Sequence, residues 1–111
     1  MAAEDLSGQD LRGENLRGRI LREADLAGAN LSGQSLNDLD LGGANLSGAD
    51  LTGANLRDAS LARADLRDAN LTEADLTMTD LGGADLTRAE GLTEDQLAEA
   101  SVDSNTNLPS S

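Results

Sequence analysis

Leucine occupies every fifth position of this chain from Leu6 to Leu86, seventeen times without a break. A step of five residues fits neither common secondary structure, because it scatters side chains around an α-helix and sends them to alternating faces of a flat strand. All the leucines can reach one core only if each unit is a short extended stretch followed by a bend. The period therefore predicts a solenoid whose leucines point toward its axis.

The other positions of the five-residue unit agree with this interpretation. Alanine stands two residues before the leucine in ten units, where strand alternation turns it toward the core beside the leucine. The residue before the leucine is Asp nine times, Asn five times and Ser twice, side chains that hydrogen-bond to nearby backbone and favour turns. Glycine follows two residues after the leucine in nine units, which suits a bend with unusual backbone angles.

Units such as ANLSG at 44–48 and ADLTG at 49–53 resemble the pentapeptide-repeat family, whose pattern is A-(D/N)-L-x-x. The resemblance covers the seventeen units from Leu6 to Leu86, about 85 residues. It implies an all-β solenoid, namely a right-handed quadrilateral β-helix with four units per coil. Seventeen units would make about four coils, roughly 20 Å long at a strand spacing near 4.8 Å.

Three zones are expected along the chain. Residues 1–22 form an atypical N-terminal capping coil, because the alanine position there holds other residues, and 23–90 form the regular β-helix. Residues 91–111 are expected to hold a short C-terminal α-helix and a mobile tail from Ser104 onward. Thr93 and Gln96 have the spacing of a capping box, and Leu92, Leu97 and Ala100 could face the open end of the solenoid. The residues at the alanine position of the opening coil are Glu4, Gln9, Glu14 and Arg19.

The net charge of −13 is unevenly distributed. Residues 1–22 hold four acidic residues and four arginines, so the remainder carries 17 − 4, all thirteen excess negative charges. A coil of twenty residues would align an outward column of residues, and its acids are candidates for binding a basic protein surface. The alternative is that the acids are solvated turn residues that keep a repetitive protein soluble. The column would consist of Asp5, Asp25, Asn45, Asp65 and Asp85.

The family resemblance implies two functional hypotheses. Some members imitate duplex DNA and occupy the DNA-binding saddle of type II topoisomerases, which inhibits the enzyme or protects it from drugs. This chain departs from those members because it has no Phe and only about four coils. The alternative is a structural scaffold or docking module with an unidentified protein partner. A neutral docking end is then predicted at Arg12, Arg17, Arg19, Ile20 and Arg22.

The C-terminal helix of such proteins can also form a two-fold dimer contact. In this chain the residues that would make a dimer contact, or simply cap the end of the solenoid, are Leu92, Leu97, Val102 and Leu108. These residues are compatible both with a lid over the solenoid and with a homodimer.

Composition disfavours several other classes of protein. The chain has no His and no Cys, so it lacks the usual proton carrier, thiol nucleophile and zinc ligands, and we expect no enzyme, cofactor or metal site. An acidic surface repels nucleic acid, so direct nucleic-acid binding is not expected. No apolar run approaches the roughly 20 residues of a membrane span, and the start of the chain lacks the basic residues of a signal peptide. The predicted location is cytoplasmic.

Overall fold

The computed structural model describes residues 3–109, a body measuring 34 × 25 × 22 Å. Met1 and Ala2 of the predicted capping zone, and Ser110 and Ser111 of the predicted tail, lie outside the described residues. The chain coils so that residues twenty apart lie side by side in parallel, as Asp25 does with Asn45. Four five-residue units therefore make one coil, as the family resemblance implies. Within residues 3–109 no helix is long and apolar enough to cross a membrane.

Each side of a coil pairs with the next coil through the single residue that precedes the leucine. The N–H of Leu26 donates to the carbonyl of Asn45 at 2.7 Å, and the N–H of Asn45 donates to the carbonyl of Ala24 at 2.9 Å. These two bonds make one parallel bridge, and the pattern repeats along the wall. The paired columns are Asp5, Asp25, Asn45, Asp65, Asp85 and Asn107 on side 1; Asp10, Asn30, Asp50, Asn70 and Glu90 on side 2; Ser35, Asn55 and Asp75 on side 3; and Asp40, Ser60, Asp80 and Ser101 on side 4.

The core is the leucine and alanine stack that the period predicts. All seventeen repeat leucines are buried, the most accessible being Leu6 at 6% exposure. The ten alanines at the inner position are also buried, none exceeding the 4% of Ala74. Each buried leucine contributes roughly 1.5–3 kcal/mol relative to an exposed one, before the cost of ordering the chain. Small alanines beside large leucines let the backbone wind tightly.

Every corner uses the same backbone conformation. The residue two positions after the leucine has φ between +59° and +85° in all seventeen units, the value that a type II turn requires at its third residue. The turn closes with a backbone bond, for example from the N–H of Ala49 to the carbonyl of Leu46 at 3.0 Å. Nine of these corner residues are the glycines that the sequence indicates, and eight are other residues. Those eight are Glu23, Asp38, Asp58, Arg63, Asp68, Glu73, Met78 and Arg88.

The first coil is irregular, and its role as a cap stays a prediction. Among the described residues, side 3 and side 4 lack the bridge between the first and second coils, at Asn15 and at Ile20. Larger side chains stand at the inner position of the second coil there: Leu39 packs against the core, and Gln34 is buried. The Gln34 Nε2 donates to the carbonyl of Glu14 at 2.8 Å, which replaces one of the two missing backbone bonds on side 3. The side chains of Gln34 and Leu39 are larger than the alanine that other units have at this position, so they need more room.

Helix α1 spans Glu94–Glu99 and confirms the predicted C-terminal helix. Thr93 Oγ1 accepts from the N–H of Gln96 at 3.1 Å, and Gln96 Oε1 accepts from the N–H of Thr93 at 2.7 Å, so the predicted capping box is present. The Gln96 Nε2 also donates to the carbonyl of Leu71 at 2.9 Å, which fixes the helix to the coil below. Leu92, Leu97 and Ala100 pack against the core, as a lid would.

The segment after α1 differs from the predicted mobile tail as far as Pro109. Ser101 pairs with Asp80 and Asn107 pairs with Asp85, at separations of 21 and 22 residues instead of twenty. The Thr106 Oγ1 also donates to the carbonyl of Leu81 at 2.8 Å. The chain therefore adds a fifth, aperiodic coil, because short insertions are absorbed at the corners and the pairing resumes on sides 4 and 1.

Replacement of a central core leucine should strongly destabilise the solenoid. We expect Leu51→Ala to lower the free energy of unfolding by about 2–5 kcal/mol, because a fully buried side chain leaves a cavity between stacked coils. Urea denaturation followed by circular dichroism measures the change. Ile20→Ala removes an exposed side chain and should change stability by less than about 0.5 kcal/mol. Equal losses in the two variants would contradict this description of the core.

Two glycine substitutions separate backbone strain from steric conflict. Gly48 has φ +67° with open space around an added Cβ, so Gly48→Ala should cost about 1 kcal/mol from backbone conformation alone. Gly91 has φ +80°, and an added Cβ would meet the backbone of Thr72 at 2.7 Å. Gly91→Ala should therefore cost clearly more than Gly48→Ala in the same urea experiment. The opposite order would show that the fifth coil is not seated as described.

Candidate protein-interaction surfaces

The structure brings the predicted acidic column together on side 1. Asp5, Asp25, Asn45, Asp65 and Asp85 follow one another through parallel bridges, so their side chains lie in one row along the rod. Negative charge along the row is interrupted at two points. Asn45 is neutral, and the carboxylate of Asp65 is paired with Arg67 at 2.7 Å. The column is therefore an outward row of turn residues with separate acidic sections.

The acids of the column also take part in the turns. Asp85 Oδ1 accepts from the N–H of Thr87 at 3.0 Å and from its hydroxyl, and these contacts lower the pKa of Asp85. The hydroxyl of Ser7 lowers the pKa of Asp5 in the same way. Asn45 Oδ1 makes the same pair of contacts with Ser47, at 3.0 Å and 2.8 Å. This contact thus needs a side-chain oxygen and no charge, because an amide oxygen makes it as well as a carboxylate does.

Ion pairs between arginines and acidic residues occur along the whole rod. Six ion pairs form within residues 3–109, and each has at least one exposed partner. Solvent screens pairs of this kind, so they add little to stability. The strongest effect on a carboxyl is at Asp10, where the Arg12 side chain lowers its pKa to about 2. The six pairs are Arg12 with Asp10, Arg19 with Glu4, Arg22 with Asp40, Arg57 with Asp75, Arg67 with Asp65 and Arg88 with Asp68.

Acidic residues occur on all four sides of the rod. Side 2 carries Asp10 and Asp50 in its column, side 3 carries Asp75, and side 4 carries Asp40 and Asp80. The excess charge is thus distributed around the solenoid and is not confined to the side 1 column. A basic partner would meet negative charge from several directions.

In the N-terminal surface, defined by Arg12, Arg17, Arg19, Ile20 and Arg22, three of the four arginines are paired with carboxylates. All four guanidinium groups are bound by this chain's own acceptors; Arg17, for example, donates to the Oδ1 of Asn37 at 2.7 Å. Ile20 stands where other units have Asp, Asn or Ser, and its side chain is 60% exposed. Beside it lies a cavity of about 210 Å³, lined by Arg19, Ile20, Leu21, Arg22, Leu39 and Asp40.

The C-terminal surface, defined by Leu92, Leu97, Val102 and Leu108, lies at the opposite end. Leu92 and Leu97 pack against the core, whereas Val102 and Leu108 are 43% and 50% exposed. The N–H of Leu81 donates to the carbonyl of Ser101 at 2.8 Å, so the following Val102 has the register of a repeat leucine. The bond from Leu86 to Asn107, at 2.7 Å, gives Leu108 the same register on side 1.

The period of five did not reveal this fifth coil, although two short signals for it exist. Ser101-Val102 and Asn107-Leu108 repeat the pairing of a turn-forming residue with an apolar one, shifted from the period by one and two residues. Within the described part of the chain, no group of three or more acidic residues is placed to hold a metal ion.

Comparison with known protein families is unambiguous. A family model described as pentapeptide repeats matches the chain in eight copies, over residues 5–33, 21–53 and 49–88. The chain belongs to the pentapeptide-repeat family. The resemblance seen in the sequence is thereby confirmed, and with it the β-helical solenoid class. A comparison with curated proteins finds no match.

Three solved structures place this pentapeptide-repeat protein among its relatives. Rfr23 from the cyanobacterium Cyanothece 51142 is 28% identical with a TM-score of 0.59, over 96% of this chain and 85% of that chain. A protein of the Arabidopsis thaliana thylakoid lumen is 30% identical with a TM-score of 0.52, over 93% of this chain and 60% of that one. QnrB1, a plasmid-mediated fluoroquinolone resistance protein, was solved as a trypsin-treated variant. It is 21% identical with a TM-score of 0.64, over 94% of this chain and 57% of that one, and so shares the fold.

The turn aspartates should make the folded protein sensitive to acid. The hydroxyls of Thr52, Thr77 and Thr87 lower the pKa of Asp50, Asp75 and Asp85. A carboxyl whose pKa is lower in the folded than in the unfolded state stabilises the fold above about pH 4, the unfolded value. This contribution is lost as the pH falls through the folded pKa.

We expect the variant Asp50→Asn, Asp75→Asn, Asp85→Asn to lose less free energy of unfolding than the natural chain between about pH 5 and pH 2, because asparagine keeps the turn and does not titrate. Urea titrations at about 0.5 M salt, which screens exposed charges, provide the measurement. Parallel losses in the two proteins would mean that these carboxylates have no special role in acid stability.

Proposed function

We propose that this pentapeptide-repeat protein is a non-enzymatic interaction module whose acidic rod binds a basic surface of another protein. One observation carries the proposal: an uncharged amide oxygen serves the turn as well as a carboxylate, yet Asp occupies nine of the seventeen turn positions and Asn only five. The fold alone does not require that choice. These nine of the twenty-one acidic residues contribute to a net charge of −13, which is distributed around the solenoid, attracts basic proteins and repels nucleic acid.

The most specific form of the proposal is a DNA-mimic rod that binds a type II topoisomerase, inhibiting it or protecting it from drugs. The fold shared with QnrB1 and the acidic surface support it. The short solenoid, the absence of Phe and the interruptions at Asn45 and Arg67 weaken it. Five coils at a spacing near 4.8 Å amount to roughly 24 Å of rod, less than one turn of duplex DNA.

The alternative function is a scaffold or docking module with a different protein partner. The N-terminal surface favours this function. Ile20 is exposed there beside a cavity, and three of the four arginines are paired with carboxylates of the same chain. A homodimer through the C-terminal surface is a further arrangement, supported by the exposure of Val102 and Leu108. A cytoplasmic location stays a prediction from the sequence.

A DNA supercoiling assay with a bacterial gyrase tests the topoisomerase hypothesis. The protein should inhibit supercoiling, and Asp25→Asn, Asp65→Asn, Asp85→Asn should raise the concentration needed by about tenfold, because three charges are lost while the turns are kept. The matched control Asp10→Asn, Asp50→Asn, Asp75→Asn removes the same charge from sides 2 and 3. Inhibition by the natural chain should weaken as salt is added.

Two results would argue against the side 1 column as a topoisomerase contact. Equal loss of inhibition in both triple variants would mean that only the total charge matters. No inhibition at tens of micromolar protein would reject the hypothesis for that gyrase and favour the scaffold or docking role.

A further inference from the structure

We propose that the C-terminal surface is a docking site for a basic segment of a partner protein that also carries apolar side chains. The inference rests on the proposed interaction role, and it does not require the partner to be a topoisomerase. It joins two features of the same end of the solenoid: an incompletely covered apolar coil and a border that carries only negative charge.

The apolar feature comes from the fifth coil. Val102 and Leu108 have the register of repeat leucines, but they are 43% and 50% exposed, whereas every repeat leucine below them is buried. Next to Leu108 lies a cavity of about 350 Å³. Its lining is Ala89, Gly91, Leu92, Thr93, Glu94, Leu97, Leu108 and Pro109. This end thus offers a concave apolar site where another coil would otherwise stack.

The charge of this end is entirely negative. Residues 89–109 contain five acidic residues and neither Lys nor Arg, and Arg88, which precedes them, is paired with Asp68 at 2.9 Å. Glu94 lies in the wall of the cavity. A segment with basic side chains on either side of an apolar one would therefore meet complementary features here: acidic residues for its charges and an apolar cavity for its apolar side chain. The five acids are Glu90, Glu94, Asp95, Glu99 and Asp103.

A second copy of this chain fits the same end poorly. Two copies joined through it would bring ten acidic residues together with no cation from residues 89–109 to offset them. Like charges placed opposite one another at an interface are repulsive, and here nothing balances them. The same argument does not apply to a basic segment, since its charges are opposite in sign. Charge complementarity therefore selects the basic partner over the homodimer.

The test uses a synthetic amphipathic peptide of leucine and lysine, about 18 residues or five helical turns long, and the same peptide with glutamate in place of lysine. Isothermal titration with the full chain measures the affinity. The lysine peptide should bind one per chain, and the glutamate peptide should not bind. Val102→Ser with Leu108→Ser should weaken binding by about tenfold, because the apolar anchor site is lost.

Two matched variants separate this site from general attraction to an acidic rod. Ile20→Ser removes an apolar side chain that is 60% exposed at the opposite end of the solenoid and should leave the affinity unchanged. Glu94→Gln, Asp95→Asn, Glu99→Gln should weaken binding by about tenfold, and Asp10→Asn, Asp50→Asn, Asp75→Asn by less than about threefold. Circular dichroism checks that all the variants fold.

Three outcomes would overturn the proposal. The first is equal weakening by the two charge variants, which would indicate non-specific attraction only. The second is unchanged binding when Val102 and Leu108 are replaced. The third is a dimer seen by sedimentation equilibrium that requires Val102 and Leu108 and that the lysine peptide does not dissociate. The gyrase assay depends on side 1, so its failure leaves this test unaffected.

Discussion

Parallel pairing of residues twenty apart is the interaction on which the rest of this structure depends. A five-residue unit holds one leucine and one bend, and it can bury nothing by itself. Once a coil of four units pairs with the next, the side chains of leucines twenty residues apart, such as Leu26, Leu46 and Leu66, stack over one another and exclude water together. The backbone bonds between coils fix that register, since a slip of one residue would turn every leucine outward.

The outward residue before each leucine serves the fold and the surface at the same time. Where this residue is Asp or Asn, its side-chain oxygen can accept from the backbone N–H two residues later, as the Asp85 carboxylate and the Asn45 amide both do. The choice between carboxylate and amide is therefore nearly free with respect to the turn. The charge of the surface can therefore be set without changing the core.

The sequence predicts most of the regular part and little of the irregular parts, for physical reasons. The leucine and alanine positions can be predicted because burial requires them at a fixed period. The helix can be predicted from the capping-box spacing of Thr93 and Gln96. The corner conformation of residues such as Glu23 is not, because backbone pairing imposes a positive φ that glutamate does not favour. The fifth coil escapes the period because insertions shift Val102 and Leu108.

The candidate surfaces, too, could be predicted from the sequence only in part. The column through Asp25 and Asp65 follows directly from a twenty-residue coil, so its geometry is predictable. Its interruption by Arg67 is not, because the ion pair depends on a side chain that folds back over its own turn. Likewise, the apolar character of Leu108 is evident in the sequence, whereas its exposure beside a cavity depends on how the fifth coil closes.

Amide hydrogen exchange, resolved by residue, tests the twenty-residue register most directly. We expect slow exchange at Leu26, Leu46 and Leu66, whose N–H groups each donate to the next coil at 2.7–2.8 Å. Exchange should be fast at Leu16 and Leu21, which are also buried leucines but whose N–H groups find no acceptor within the described residues. Uniform protection of all five leucines, or of none, would contradict this register.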